Sequence, residues 1–193
     1  MNHAATTTTL NASPNPSNVG QSVLLTATVA GQFGGTPTGT VSFKGGANFL
    51  GTSTIINGQA TLNFAFKISG VRSVIATYSG DPNFLTSTSA PVQQTVNKVL
   101  TTTVVTSGQN PSSFSQLVTF TAVVSSGSGN PPDGEVVTFK DGTTKLGTGT
   151  LSGGNATYTT STLKRGAHNI TATYGGDTIL ATSTSTMLPQ TVN

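Results

Sequence analysis

The most informative absences in this 193-residue chain are those of cysteine, tryptophan and charge. There is no Cys and no Trp, and only 7% of the residues are charged. The lack of cysteine excludes a disulfide framework, a zinc–thiolate site, an iron–sulfur cluster and a cysteine nucleophile. The net charge of +3 comes from 8 Lys and Arg against 5 Asp and Glu, with no dense basic stripe. We therefore expect no nucleic-acid partner.

Long apolar runs are also missing. No run approaches the roughly 18 apolar residues of a membrane-spanning helix, so no direct membrane insertion is expected. The segment from Met1 to Thr6 has neither the basic part nor the apolar part of a secretory signal. The sequence therefore indicates either a fragment of a larger protein or a chain that is used without an export signal of its own.

The chain is rich in threonine and serine, with 38 and 21 residues, and it repeats itself. Thr95-Val96-Asn97 recurs ninety-six residues later as Thr191-Val192-Asn193. Upstream the offset falls to ninety-five, which indicates one inserted residue near Glu135. The repeat is as long as a whole small domain, longer than the usual repeats of about 20–50 residues. The predicted organisation is an N-terminal tail at 1–5, a domain at 6–97, a linker at 98–100 and a second domain at 101–193.

Apolar and polar residues alternate along each repeat, as in half-buried strands. Val23, Leu25 and Ala27 share one face, and Val118, Phe120 and Ala122 share it in the second copy. Seven short strands in about 95 residues are typical of two packed antiparallel sheets in an immunoglobulin-like (Ig-like) sandwich. The predicted fold is all-β, with two tandem Ig-like sandwiches end to end. The strands of the first copy are predicted at 6–11, 21–29, 39–44, 48–55, 59–66, 72–78 and 85–96.

Three segments together carry a family resemblance. They are the Thr-rich opening with Pro-Asn-Pro at 6–23, Pro-Thr-Gly-Thr-Val-Ser-Phe-Lys at 37–44 and Ala-Thr-Tyr-Ser-Gly-Asp at 76–81. The set resembles the bacterial Ig-like repeats found in tandem in large surface and secreted proteins. The resemblance covers nearly the whole chain, twice. It implies stalks, spacers and adhesive modules, and it implies neither a catalytic site nor a cofactor.

Asp81 and Asp177 are the only acidic residues that recur at matched positions. A Ca²⁺ site takes about six to eight oxygen ligands, usually from several carboxylates. Asp81 is the only acid of the first repeat, so both residues are weak metal candidates. A turn in which each carboxylate binds nearby backbone N–H groups is the favoured interpretation.

Aromatic and basic residues offer few other candidates for chemistry. Tyr78 and Tyr174 lie on the apolar phase of their strands, which favours the core over a sugar-stacking surface. His168 has no counterpart in the first repeat and no evident nucleophile to serve, so we expect no enzyme. Phe33 and Phe49 are the plausible anchors if the chain binds a partner.

The connection between the repeats predicts a stiff joint. Only Lys98, Val99 and Leu100 separate the two repeats, whereas flexible linkers are rich in Gly and Ser. Val99 and Leu100 are expected to bury against the domain ends. Four charged residues are expected to meet there in weak ion pairs: Lys67 and Arg72 with Asp133 and Asp177.

The leading hypothesis for function is a non-catalytic structural spacer, or stalk, in an extracellular or cell-surface multidomain protein, with adhesion as an additional role. Its partners would be other domains of the same protein and a host or surface protein or glycan. The alternative is a subunit of an extracellular filament or a phage-surface decoration that contacts copies of itself through strand edges or loops.

Overall fold

A computed structural model describes residues 3–193, and within them it contains strands, turns and loops. The chain divides into two compact units, Met1–Asn97 and Lys98–Asn193. The first two residues of the predicted tail lie outside the described residues. In the described part of the chain, no helix is long and apolar enough to cross a membrane.

Unit 1 is a sandwich of two sheets. One sheet has the order β1-β3-β6, and the other has the order β2-β9-β7-β4-β5 with the short β8 on β7. All pairs are antiparallel except β2 and β9, which are parallel. The strands are β1 (Thr6–Ser13), β2 (Ser17–Asn18), β3 (Ser22–Gly31), β4 (Thr40–Gly45), β5 (Asn48–Thr54), β6 (Gln59–Ala65), β7 (Gly70–Tyr78), β8 (Ser87–Thr88) and β9 (Val92–Asn97).

Unit 2 repeats this topology. The sheets are β10-β11-β14 and β13-β12-β15, with β16 and β17 both paired to β15. A parallel bridge between Ser112 and Val192 takes the place of the β2–β9 pair. The strands are β10 (Thr101–Ser107), β11 (Val118–Ser126), β12 (Val136–Asp141), β13 (Thr144–Thr150), β14 (Asn155–Thr160), β15 (Gly166–Tyr174), β16 (Ser183–Thr184) and β17 (Leu188–Val192).

Each unit closes around an apolar core made by the inward phase of its strands. Val23, Leu25 and Phe43 are fully buried in unit 1, as are Phe120 and Phe139 in unit 2. The burial of each such side chain contributes about 1.5–3 kcal/mol to the stability of the fold. This apolar packing holds the two sheets together without a disulfide bond. The all-β sandwich prediction is confirmed.

The last predicted strand, 85–96, is interrupted in the structure. It forms the separate strands β8 and β9 because the hydroxyl of Ser89 accepts the backbone N–H of Ala76 at 3.0 Å. Pro91, just before β9, has no N–H to give to the sheet. Ser185 and Ala172 repeat the arrangement at 3.0 Å in unit 2.

The segments assigned from the sequence to a tail and to a linker are bonded to the units that follow them. Ala4 donates to the carbonyl of Asn83 at 2.8 Å and accepts from Leu85 at 2.9 Å. Val99 makes the matching pair, donating to Ile179 and accepting from Ala181, both at 2.8 Å. Its side chain packs on the core of unit 2. Leu100 is not among the residues that pack on that core.

Candidate functional site

Asp81 ties two loops of unit 1 together. Its Oδ2 accepts the backbone N–H of Thr38 at 2.8 Å and its hydroxyl at 2.7 Å. Its Oδ1 accepts the N–H groups of Asn83 at 2.8 Å and Phe84 at 2.9 Å. These donors, the Thr38 N–H foremost, hold the pKa of Asp81 well below its usual range. Both oxygens are therefore engaged in organising the turn.

Asp177 has the corresponding place in unit 2. Its Oδ1 accepts the N–H groups of Ile179 at 2.7 Å and Leu180 at 2.5 Å. Burial alone would raise the pKa of Asp177, but these donors outweigh it and the pKa is lowered. No three His, Asp or Glu side chains are grouped to hold a metal ion anywhere in residues 3–193. The geometry of both aspartates is that of a turn.

The charged residues expected at the joint lie in separate units. Lys67 lies in the turn between β6 and β7, and Arg72 lies near the start of β7, with its guanidinium 5.4 Å from the Phe66 ring centroid. In unit 2, Asp133 accepts the N–H of Gly153 at 2.7 Å, and Asp177 belongs to the turn described above. Their pairing, and the joint at Lys98, Val99 and Leu100, stay predictions.

The two matched tyrosines lie in the cores, as predicted, but their hydroxyl groups differ. The Tyr174 hydroxyl donates to the carboxylate of Glu135, the residue at which the two repeats change offset. Within residues 3–193 the Tyr78 hydroxyl is buried and has no partner of ordinary hydrogen-bond geometry, although the nearby Asp81 carboxylate contributes to its raised pKa. Burial raises the pKa of both phenols, that of Tyr78 to about 12. Both tyrosines are therefore neutral core residues at physiological pH.

A buried glutamine recurs in both units and was missed from the sequence. Gln94 and Gln190 are fully buried, and the amide nitrogen of Gln94 donates to the carbonyl of Pro14 at 3.2 Å. In unit 2 the Oε1 of Gln190 accepts the Ser107 hydroxyl at 2.7 Å. Ala12 stands in that place in unit 1, and the Oε1 of Gln94 has no hydrogen-bond partner among the described residues. The signal in the sequence was a polar residue recurring on the apolar phase of the last strand.

A histidine–carboxylate pair is present in unit 2. The Nδ1 of His168 lies 2.6 Å from Oδ2 of Asp141, and its Nε2 lies 2.7 Å from the carbonyl of Lys164. Burial opposes the charged ring, but its partners Asp141 and Lys164 outweigh it and raise the pKa of His168. The pair fastens β12 to β15.

Unit 1 has an open apolar groove of about 390 Å³ between β5 and the turn from β6 to β7. We call it the apolar groove and define it by the residues that line it: Gly45, Asn48, Phe49, Leu50, Phe64, Phe66, Lys67, Ile68 and Arg72. Of the two anchors expected from the sequence, Phe49 lines this groove and is 62% exposed. Phe33, 85% exposed, lies in the loop between β3 and β4.

Comparison with known proteins identifies the family. The model of the bacterial Ig-like domain (group 3) matches the chain twice, at residues 10–97 and 105–193. This chain is a tandem pair of bacterial Ig-like domains. No curated protein matches it. The family model begins inside β1 in the first domain and inside β10 in the second, after the bridges made by Ala4 and Val99.

Solved structures agree with this bacterial Ig-like fold. The adhesin InvE of Yersinia pseudotuberculosis is 17% identical with a TM-score of 0.51, and the match covers 96% of this chain and 58% of that one. Fibronectin(III)-like modules of Clostridium thermocellum CbhA are 19% identical with a TM-score of 0.39, at 96% and 91% coverage. The Escherichia coli adhesin FdeC is 14% identical with a TM-score of 0.38, at 96% and 64% coverage. At 17% identity, the likeness to InvE shows the fold alone.

Proposed function

We propose that this chain is a non-catalytic structural module, a spacer of two bacterial Ig-like domains, in an extracellular or cell-surface multidomain protein. Its immediate partners are other domains of the same protein. Two of the similar structures are bacterial adhesins, in keeping with a place in such a protein. Adhesion would then belong to other parts of the protein or to surfaces added to this frame.

The proposal rests on one observation: the polar residues that recur in both domains form hydrogen bonds within the fold. Asp81 and Asp177 bind turn N–H groups, and Gln94 and Gln190 bind the segment after the first strand. The hydroxyl groups of Ser89 and Ser185 accept main-chain N–H groups of β7 and β15, in place of a main-chain acceptor. The polar groups repeated in both domains thus serve the fold itself. A catalytic device needs a nucleophile, a base and an orienting group in one constellation.

The terminal strands favour a module that withstands tension. In domain 1, Ser17 and Asn18 of β2 pair in parallel with Val96 and Asn97 of β9, and Val19 donates to Asn97 at 2.9 Å. In domain 2, Phe114 donates to Asn193 at 2.8 Å. Force on the two ends of a domain pulls parallel neighbours in opposite directions along their length. Their hydrogen bonds are then loaded together instead of one after another.

Single-molecule stretching of the intact chain between its ends tests this role. We expect two separate unfolding peaks, each lengthening the chain by roughly 300 Å, since about 90 residues extend by about 3.3–3.6 Å each. Val19→Pro removes the donor to Asn97 and should lower the force of one peak only, with domain 2 as the internal control. Extension of the wild-type chain without resolvable peaks would contradict a spacer that carries tension.

A further inference from the structure

Most of the residues that line the apolar groove of domain 1 are not repeated at the matched places in domain 2. Phe49 and Ile68, which line it, are 62% and 51% exposed. Ninety-six residues later the chain has Lys145 and Lys164. The aromatic residues Phe64 and Phe66 are likewise replaced, by Thr160 and Thr162. Because domain 2 folds with polar residues at these positions, the sandwich does not require an apolar surface here.

The charge at the groove has one sign. Lys67 and Arg72 line it, and within the described residues of domain 1 neither makes an ion pair. The only carboxylate of domain 1 is that of Asp81, which is bound to Thr38 and to its own turn. The two cations of the groove therefore receive no counter-charge from their own domain. A partner that enters the groove gains by bringing carboxylates with it.

The groove adjoins an open strand edge. β5 is the outermost strand of its sheet, and Asn48, Phe49 and Leu50 at its start line the groove. The strand from Asn48 to Thr54 contains no charged residue, whereas the matching edge strand β13 carries Lys145. Charged residues, lysine above all, protect sheet edges against pairing with another chain. The edge of β5 lacks this protection, and an extended segment can add to it as a further strand.

We propose that the apolar groove and the edge of β5 form a docking surface for an extended, acidic segment of a partner protein. The segment pairs with β5, places an apolar side chain against Phe49 and Ile68, and brings carboxylates to Lys67 and Arg72. Charge complementarity selects this occupant. The surface is independent of the spacer role, because domain 2 shares the spacer architecture but has lysine at the places of Phe49 and Ile68.

A peptide-binding measurement on the intact chain tests the proposal. The probe is a fluorescein-labelled peptide, Asp-Asp-Val-Asp-Phe-Asp-Val-Asp-Asp, followed by fluorescence anisotropy. We expect saturable binding that weakens as salt is raised, because exposed charges are screened. The same peptide with Lys in place of every Asp should not bind. NMR shift changes should map to β5 and to residues 66–72.

Variants that copy domain 2 into domain 1 sharpen the test. Phe49→Lys and Ile68→Lys should each weaken peptide binding by about tenfold or more, the equivalent of about 1.4 kcal/mol. Lys67→Glu should weaken it several-fold. The matched control is Val104→Lys, which places a lysine at a 56% exposed valine on β10 of domain 2 and should leave binding unchanged. Folding is checked by the thermal midpoint, which should not change, because lysine already stands at the matched place in domain 2.

Three results would overturn the proposal. The first is no saturable binding of the acidic peptide to the wild-type chain. The second is binding that Phe49→Lys and Val104→Lys weaken equally. The third is a dimer of the chain, measured by light scattering, that Phe49→Lys dissociates, since a second copy would then be the occupant. None of these results bears on the unfolding force of either domain, so the spacer proposal is judged separately.

Discussion

The two domains share a frame but differ in how they pair their buried polar groups. Tyr78 and Gln94 each leave one polar atom unpartnered in domain 1. In domain 2, Glu135 accepts from Tyr174, and Ser107 donates to Gln190. Domain 2 also holds β12 to β15 through Asp141 and His168, where domain 1 has Gly45 and Arg72.

The difference shows which interactions the fold can lose. Both domains reach the same topology because the apolar strand faces match, from Val23 and Leu25 to Val118 and Phe120. A buried polar atom without a partner costs about 1–3 kcal/mol, less than the burial of the apolar side chains around it contributes in sum. Polar pairing therefore adjusts the stability of each domain without deciding its architecture.

The largest expected contrast is at the core tyrosines. Tyr174→Phe removes a hydrogen bond to a carboxylate and should destabilise domain 2 by about 1.5–3 kcal/mol. Tyr78→Phe removes a buried hydroxyl that has no partner and should leave domain 1 unchanged or up to about 1 kcal/mol more stable. Urea unfolding followed by resolved NMR signals of each domain measures both. Equal destabilisation in the two domains would contradict the difference in pairing.

The next contrast is at the first bridge of each domain. Val99→Gly removes a half-buried side chain from the core of domain 2 and frees its backbone, and it should cost about 1–2 kcal/mol. Ala4→Gly should cost domain 1 less, about 0.5–1 kcal/mol. Leu100→Gly is the control, because that side chain lies outside the core. The stability of each domain in urea is the measurement, and a larger effect at Leu100 than at Val99 would reverse the assignment.

A reciprocal exchange tests the buried glutamines. Ser107→Ala removes the donor to the Oε1 of Gln190, as alanine does at the matched place beside Gln94. It should destabilise domain 2 by about 1–2 kcal/mol. Ala12→Ser supplies the missing donor and should stabilise domain 1 by about 0.5–1 kcal/mol. Thermal and urea unfolding of the two variants should shift in opposite directions. Shifts of the same sign would show that the unpartnered oxygen of Gln94 is not what separates the domains.

The smallest contrast is pH dependence. The pKa of His168 is higher in the folded state than in the unfolded state, where it is about 6.5. The charged ring therefore stabilises domain 2 fully at pH values below the unfolded pKa, and this stabilisation is lost as the pH rises through the folded pKa. The lowered pKa of Asp141 removes its contribution only in strong acid. Domain 2 should therefore lose about 1 kcal/mol or less between pH of about 5.5 and 8.5, while domain 1 stays constant.

The control for this prediction is His168→Arg, which installs the residue that domain 1 has at the same place. Arginine remains charged throughout this range, so the pH dependence of domain 2 should vanish. Hydrogen exchange of β15 amides at each pH reports the change locally. A pH dependence that survives in His168→Arg would assign it to another group.

Strand periodicity predicted most of the architecture, because a strand that is buried on one face has an apolar residue at every second position. It failed where backbone groups bind without apolar side chains, as at Ala4. It also failed where a side chain replaces a main-chain bond, as Ser89 does between β8 and β9. His168 and Asp141 are twenty-seven residues apart and meet only through strand register, which no local pattern reports.

The candidate sites, too, could be predicted where the contacts are local in sequence and not where they depend on tertiary structure. The turn role of Asp81 could be predicted because Gly-Asp-Pro is a local signal and its N–H donors are two and three residues away. The apolar groove could be predicted only in part. Phe49 was recognisable as exposed, but Phe66 and Ile68 join it through the packing of two strands and a turn. Such a grouping depends on tertiary structure.

The bridges made by Ala4 and Val99 have a consequence for how such genes grow. The hydrogen bonds within each domain begin at a residue just before its first long strand, Ala4 or Val99, and extend to the end of the domain, at Asn97 or Asn193. One complete copy therefore gives way to the next at the peptide bond between Asn97 and Lys98. A duplication or recombination event that cuts the coding sequence at this bond copies a unit with all its hydrogen bonds and no remnant of its neighbour. A cut a few codons later would leave the new copy without its first bridge. Selection for copies that fold at once would therefore keep the crossover point at this bond.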